Sequence, residues 1–170
     1  MKSILLYKLK PYQKQQVLLY NNQSTSDIIT TLLNAHRLYA SEYDKICEYF
    51  WTGSVRGTAH KLFSFLKRYA PYRIESDARQ TIKSPSAILS SSGNDCKHYA
   101  SWIGGNLSAL CRKGKNINWC YRFANYKLFG TTPHHVFCVI KTPSGEIWID
   151  PVLHSFDYKK QYVNKIDKKI

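Results

Sequence analysis

"SSGNDCKHYASW", residues 91–102, passes from a turn-forming run into the first turn of a helix, with Asn94 or Asp95 as its cap and Cys96 at its start. The continuation places Cys96, Tyr99, Ala100, Ile103, Leu107 and Leu110 on one apolar stripe, and Gly114 lies beyond the end. Gly104 and Gly105 weaken that helix unless it packs tightly against another backbone. A thiol at a helix start sits at the positive end of the dipole, which favours the thiolate. Cys96 is therefore either a small core hydrophobe or a nucleophile. The second reading needs a base within hydrogen-bond reach and a third group to orient it.

Upstream, the spacing predicts three helices. One starts at Ser26 with Ile29, Leu32, Leu33, His36 and Tyr39 on its face. A second carries Tyr43, Ile46, Cys47, Phe50 and Trp51, closed by Gly53. A third carries Ala59, Leu62, Phe63, Leu66 and Tyr69 and stops at Pro71. The stretch from Glu75 to Gly93, with Pro85 and several serines, reads mostly as loop. Residues 1–25 read as an N-terminal arm or two short strands around Pro11, residues 26–157 as the body of one domain, and residues 158–170 as a basic C-terminal tail.

Downstream the period changes. "INWCYRF" (117–123) alternates Ile117, Trp119, Tyr121 and Phe123 on one face, and "HHVFCVI" (134–140) and "EIWID" (146–150) are short β-rich runs joined by "KTPSG". Helices followed by an antiparallel sheet make an α+β fold. A loop of Thr142 to Gly145 pairs residue 141 with 146. Residue 135 then falls opposite 152, and Asp150 becomes the diagonal neighbour of His135 on one face. His134 points to the other face, and a loop one residue longer or shorter would exchange the two histidines. His98 is two residues along the Cys96 helix, so its side chain points away from the thiol.

Helix-start Cys, strand His and next-strand Asp form a specific set. "GNDCKHYA", "HHVFCVI" and "EIWIDPVL" resemble the three core motifs of the transglutaminase-like superfamily, a branch of the papain-like cysteine enzymes. "AHKLFSFLKRYAPYRIES" and "RQTIKSPSAIL" resemble the approach to the cysteine in small bacterial and phage-encoded members, so the likeness covers roughly residues 55–155. The resemblance implies a papain-like core and a triad of Cys96 as nucleophile, His135 as base and Asp150 as orienter. It implies attack on an amide carbonyl of a protein or peptide substrate, cell-wall peptide included, with release to water or to an amine. The Cys96 N–H is the first oxyanion donor by analogy, and Gln80 the candidate for the second. Asn94 stands where the family has Gly, and Lys97 and His98 replace an acidic pair, which should shape the rim of the site. No Asp-rich loop suits calcium, and no cofactor is implied.

Other classes were weighed. A catalytically silent domain of the same fold, serving an interaction or a phage particle, is the alternative. A zinc site drawn from Cys96, His98, His134, His135 and Cys138 lacks CxxC or HExxH spacing, so no metal is assigned. The chain has 25 Lys and Arg against 11 Asp and Glu, a net charge of +14, which should attract anionic partners. Without a nucleic-acid motif, nucleic acid is disfavoured. No apolar run is long enough for a membrane span or a signal peptide, and five scattered cysteines suit reduced thiols, so the expected location is the cytoplasm.

Overall fold

In the computed structural model, residues 1–10, 16–19, 25–75, 80–127 and 132–170 are described. The elements run α1 (Lys2–Lys8), β1 (Gln16–Leu19), α2 (Thr25–Leu38), α3 (Ala40–Ile46) continued by a 3-10 turn (Cys47–Tyr49), α4 (Val55–Tyr69), β2 (Gln80–Lys83), α5 (Pro85–Ser90), α6 (Cys96–Arg112), β3 (Trp119–Asn125), β4 (His135–Thr142), β5 (Gly145–Ile149) and β6 (Asn164–Lys168). The architecture is α+β. β5, β4, β3 and β6 form one antiparallel sheet in that order, and β1 and β2 form a separate antiparallel pair. No helix among the described residues is long and apolar enough to cross a membrane.

α6 is the central element. Asp95 caps its N-terminus, accepting from the His98 N–H, while the Asp95 N–H donates back to His98 Nδ1. Residues 97–107 are all buried, because helices cover one side of α6 and the sheet covers the other. The two interior glycines are explained by that crowding. A Cβ on Gly105 would lie 2.1 Å from the Tyr43 ring, and one on Gly104 would lie 2.4 Å from the Tyr121 hydroxyl. The partners are aromatic rings, not backbone.

The expected alternation in β3 is seen. Trp119, Tyr121 and Phe123 join the main core with α6, while Cys120 and Ala124 join Phe137, Val139 and Trp148 in a second cluster on the sheet's outer face. The β4–β5 turn is tighter than expected. Thr142 and Gly145 pair with each other, leaving Pro143 and Ser144 at the tip, with Gly145 at φ +124°. Lys141 still pairs with Glu146, so the register is the one read from the sequence.

Three segments differ from the reading. Residues 2–8, where an arm or short strand is expected, are a helix whose Leu5 is buried in the core. The loop expected from Glu75 to Gly93 contains β2 and α5. Ser84 caps α5 with Pro85 at its first turn, a start signal the sequence did carry. Residues 158–170, expected as a basic tail, supply Tyr162 to the outer cluster and β6 to the sheet.

β6 is held by its backbone ladder to β3 and by charge. Arg122 on β3 is fully buried and makes two bidentate pairs: Nε and Nη2 donate to Asp167 at 2.7 and 2.8 Å, and Nη1 and Nη2 donate to Glu146 at 2.7 and 2.8 Å. Its guanidinium lies over Trp148 and Tyr162, 5.4 and 5.8 Å from the ring centroids.

Candidate active site

Cys96 is the first residue of α6, so its N–H has no acceptor within the helix, and no described residue accepts from it. The thiol is half-buried. Two segments hold the loop before it. The Asn94 N–H donates to Pro71 O at 2.8 Å, the Arg73 N–H donates to Asn94 O at 2.8 Å, and Asn94 Nδ2 donates to Ile88 O at 3.1 Å. Asn94 thus anchors the turn that delivers the cysteine, which gives the residue a structural reason for being there.

His135 opens β4. Its Nε2–H donates to Asp150 Oδ2 at 2.7 Å, and the Cys96 side chain is close enough to act on the charge of the same ring. Asp150 is buried just past the end of β5. Its Oδ1 accepts from the Val152 N–H at 3.2 Å, and its carbonyl accepts from the Leu153 N–H at 3.1 Å, so the turn after β5 fixes the carboxylate. The structure therefore brings Cys96, His135 and Asp150 together, with His135 hydrogen-bonded to Asp150 and under the electrostatic influence of Cys96. His134 is exposed, its N–H donating to Ala124 O at 3.2 Å. The Gln80 backbone pairs with Leu19 in the small sheet, and its side chain lies outside the described residues.

Burial disfavours a charged His135, but the hydrogen bond to Asp150 and the influence of Cys96 outweigh it and raise the imidazole to about pKa 10. The sign of the consequence follows. With a folded value above the unfolded 6.5, the contact stabilises the fold fully below about pH 6.5 and loses that contribution as pH rises toward 10. The ring should stay protonated through neutral pH. An NMR titration of the His135 ring should give a midpoint well above 8, falling toward 6.5 in Asp150→Ala; a wild-type midpoint near 6.5 would contradict this arrangement.

Lys97 and His98, expected at the rim, are buried instead. Lys97 Nζ pairs with Asp95 Oδ2 and with Glu75 Oε2, the latter at 3.1 Å. Thr81 donates to Glu75 from both its N–H and its hydroxyl, at 2.7 and 2.6 Å. The His98 hydrogen bond, offset by burial, holds Asp95 down at about pKa 2. This network braces the first turn of α6 against β2 from below. Glu75, Asp95 and His98 bring potential metal-ligand atoms within 4.8 Å of one another, but the Lys97 ammonium already pairs with two of the three.

Sequence reasoning missed the aromatic walls. Tyr72, half-exposed, pairs with Asn94 on one side of the thiol, and burial followed by the charges of Cys96, Asp95 and Asp150 disfavours its phenolate. On the other side the Tyr126 ring lies 5.6 Å from that of His135, its hydroxyl buried with no hydrogen-bond partner among the described residues. The aromatic residues are plain in the sequence, but nothing local aims them at Cys96. Compared with known proteins, the chain matches no family model, no curated protein and no solved structure.

Proposed function

We propose that this chain is a cysteine-nucleophile hydrolase of amide bonds, of the transglutaminase-like type that the sequence motifs suggest. The observation that carries the reading is the grouping of Cys96, His135 and Asp150 at the start of a capped helix. In the proposed reaction the Cys96 sulfur adds to an amide carbonyl carbon, and the oxyanion turns toward the Cys96 N–H. His135 gives its proton to the departing nitrogen as the C–N bond breaks, leaving a thioester. Water, deprotonated by the now neutral His135, cleaves the thioester, which releases the acid and restores the thiolate beside a protonated His135. Asp150 holds the ring in the required tautomer and supports its charge. An amine in place of water would make the same site a transamidase. The proposed place of work is the cytoplasm, where five free thiols stay reduced.

The test is selectivity among those thiols. Burial pushes the thiols of Cys47, Cys111, Cys120 and Cys138 up, which slows their alkylation. Brief iodoacetamide treatment near pH 6, read by mass spectrometry, should label Cys96 well before the other four. Equal labelling of all five in the native protein would sink the proposal. Cys96→Ser changes little volume and should leave the melting temperature within about 2–4 °C.

A further inference from the structure

Three exposed cations near the site form no ion pair among the described residues. Arg73 follows Tyr72 on one bank, and Lys127 follows Tyr126 on the other; both are exposed. Lys160 stands with its Nζ 4.4 Å from the Tyr126 ring centroid, and that ring touches both His134 and His135, at 6.0 and 5.6 Å between centroids. Burial, then Lys127, His135 and Lys160, push His134 below its ordinary pKa, so the two ammoniums and the two histidines share one neighbourhood. None of Arg73, Lys127 and Lys160 forms an ion pair among the described residues. Described carboxylates of the chain are engaged with other cations: Asp157 with Arg56, Asp44 with Arg112, Glu146 and Asp167 with Arg122. Asp150, the carboxylate bonded within the site, is buried beneath His135.

We infer that the cleft selects acidic polypeptide, an amide flanked by Asp or Glu side chains, with Lys127 and Lys160 on one bank and Arg73 on the other as the specificity-determining charges. The inference rests on the proposed nucleophile. Tyr72 and Tyr126 supply flat apolar walls for the peptide chain, and the cations select its charge. Cations left without partners around a cleft raise the local concentration of anionic ligands and lose that effect as salt is added.

Alkylation of Cys96 tests this without a known substrate. Its rates with iodoacetate, which is anionic, and iodoacetamide, which is neutral, are compared at low ionic strength in wild type, in Lys127→Gln/Lys160→Gln, and in Lys168→Gln as a remote control. The iodoacetate-to-iodoacetamide ratio should fall about fivefold in the double variant, the size expected of two ammonium charges within a Debye length. It should hold in the control and collapse similarly for wild type in 0.5 M salt, where the Debye length shrinks to about 4 Å. Hexaglutamate should protect Cys96 from iodoacetamide where hexaglutamine does not. An unchanged ratio in the double variant overturns the inference while leaving the nucleophile standing. Protection by an oligodeoxynucleotide but not by hexaglutamate also overturns it, pointing to nucleic acid instead. If Cys96 reacts no faster than the other thiols with either reagent, the nucleophile falls and the inference falls with it.

Discussion

His135→Ala should lower turnover of any amide substrate by about 10⁴-fold or more, while His134→Ala keeps most of it. The two residues are adjacent, similar in chemistry and equally easy to replace. They differ in surroundings: the His135 ring is bonded to Asp150 and feels the Cys96 side chain, and His134 is exposed beside Tyr126. Removing the base leaves no group within reach to protonate the leaving amine or to deprotonate water. Asp150→Asn should be milder, by about tenfold to a hundredfold relative to loss of the base, because the imidazole remains and only its orientation and charge support are disturbed. Steady-state rates on an acidic peptide library, with folding checked by circular dichroism, would measure all three. An inactive His134→Ala with an active His135→Ala would dismantle the assignment.

The largest effect on stability should come from the sheet's outer face. Arg122→Met should cost about 3–5 kcal/mol, because it leaves two partly buried carboxylates facing each other across the space of one guanidinium. Arg122→Lys should recover little of that loss, since an ammonium cannot make two bidentate pairs at once. The Arg122 hydrogen bonds hold Glu146 down at about pKa 2 and lower Asp167 as well. Both folded values lie below the unfolded ones, so this contribution is present above about pH 4 and is lost as pH falls toward 2. Urea unfolding at pH 7 and at pH 3 would separate wild type from Arg122→Met, with the gap closing in acid. A difference within about 1 kcal/mol at pH 7 would contradict the role assigned to the network.

What the sequence made legible was local. The α6 stripe, the alternation at Trp119, Tyr121 and Phe123, and the Lys141–Glu146 register each depend on spacing within a few residues, and each is present in the fold. The meeting of Cys96 with His135 is not local; the hairpin count placed His135 beside Asp150, and the motif resemblance supplied the rest. The failures have a common cause. β2 is four residues long and pairs with β1, a strand far upstream, so nothing beside it announces a strand. "NKIDK" looks like a solvated tail because its reason to pair is the charge on Arg122, 45 residues away. Lys97 and His98 look like rim residues because the carboxylate that buries them, Glu75, lies beyond the turn that precedes α6.

The same 45-residue separation sets a clock on synthesis. A ribosome adding about 5–20 residues per second finishes β3 roughly 2 to 9 seconds before it finishes β6. During that interval the backbone of residues 121–125 is an open strand edge, and the Arg122 guanidinium still lacks Asp167. Any nascent chain at the same stage offers a matching edge. Yield should therefore depend on how crowded the translating ribosomes are, and slower initiation should raise the soluble fraction more than slower elongation does.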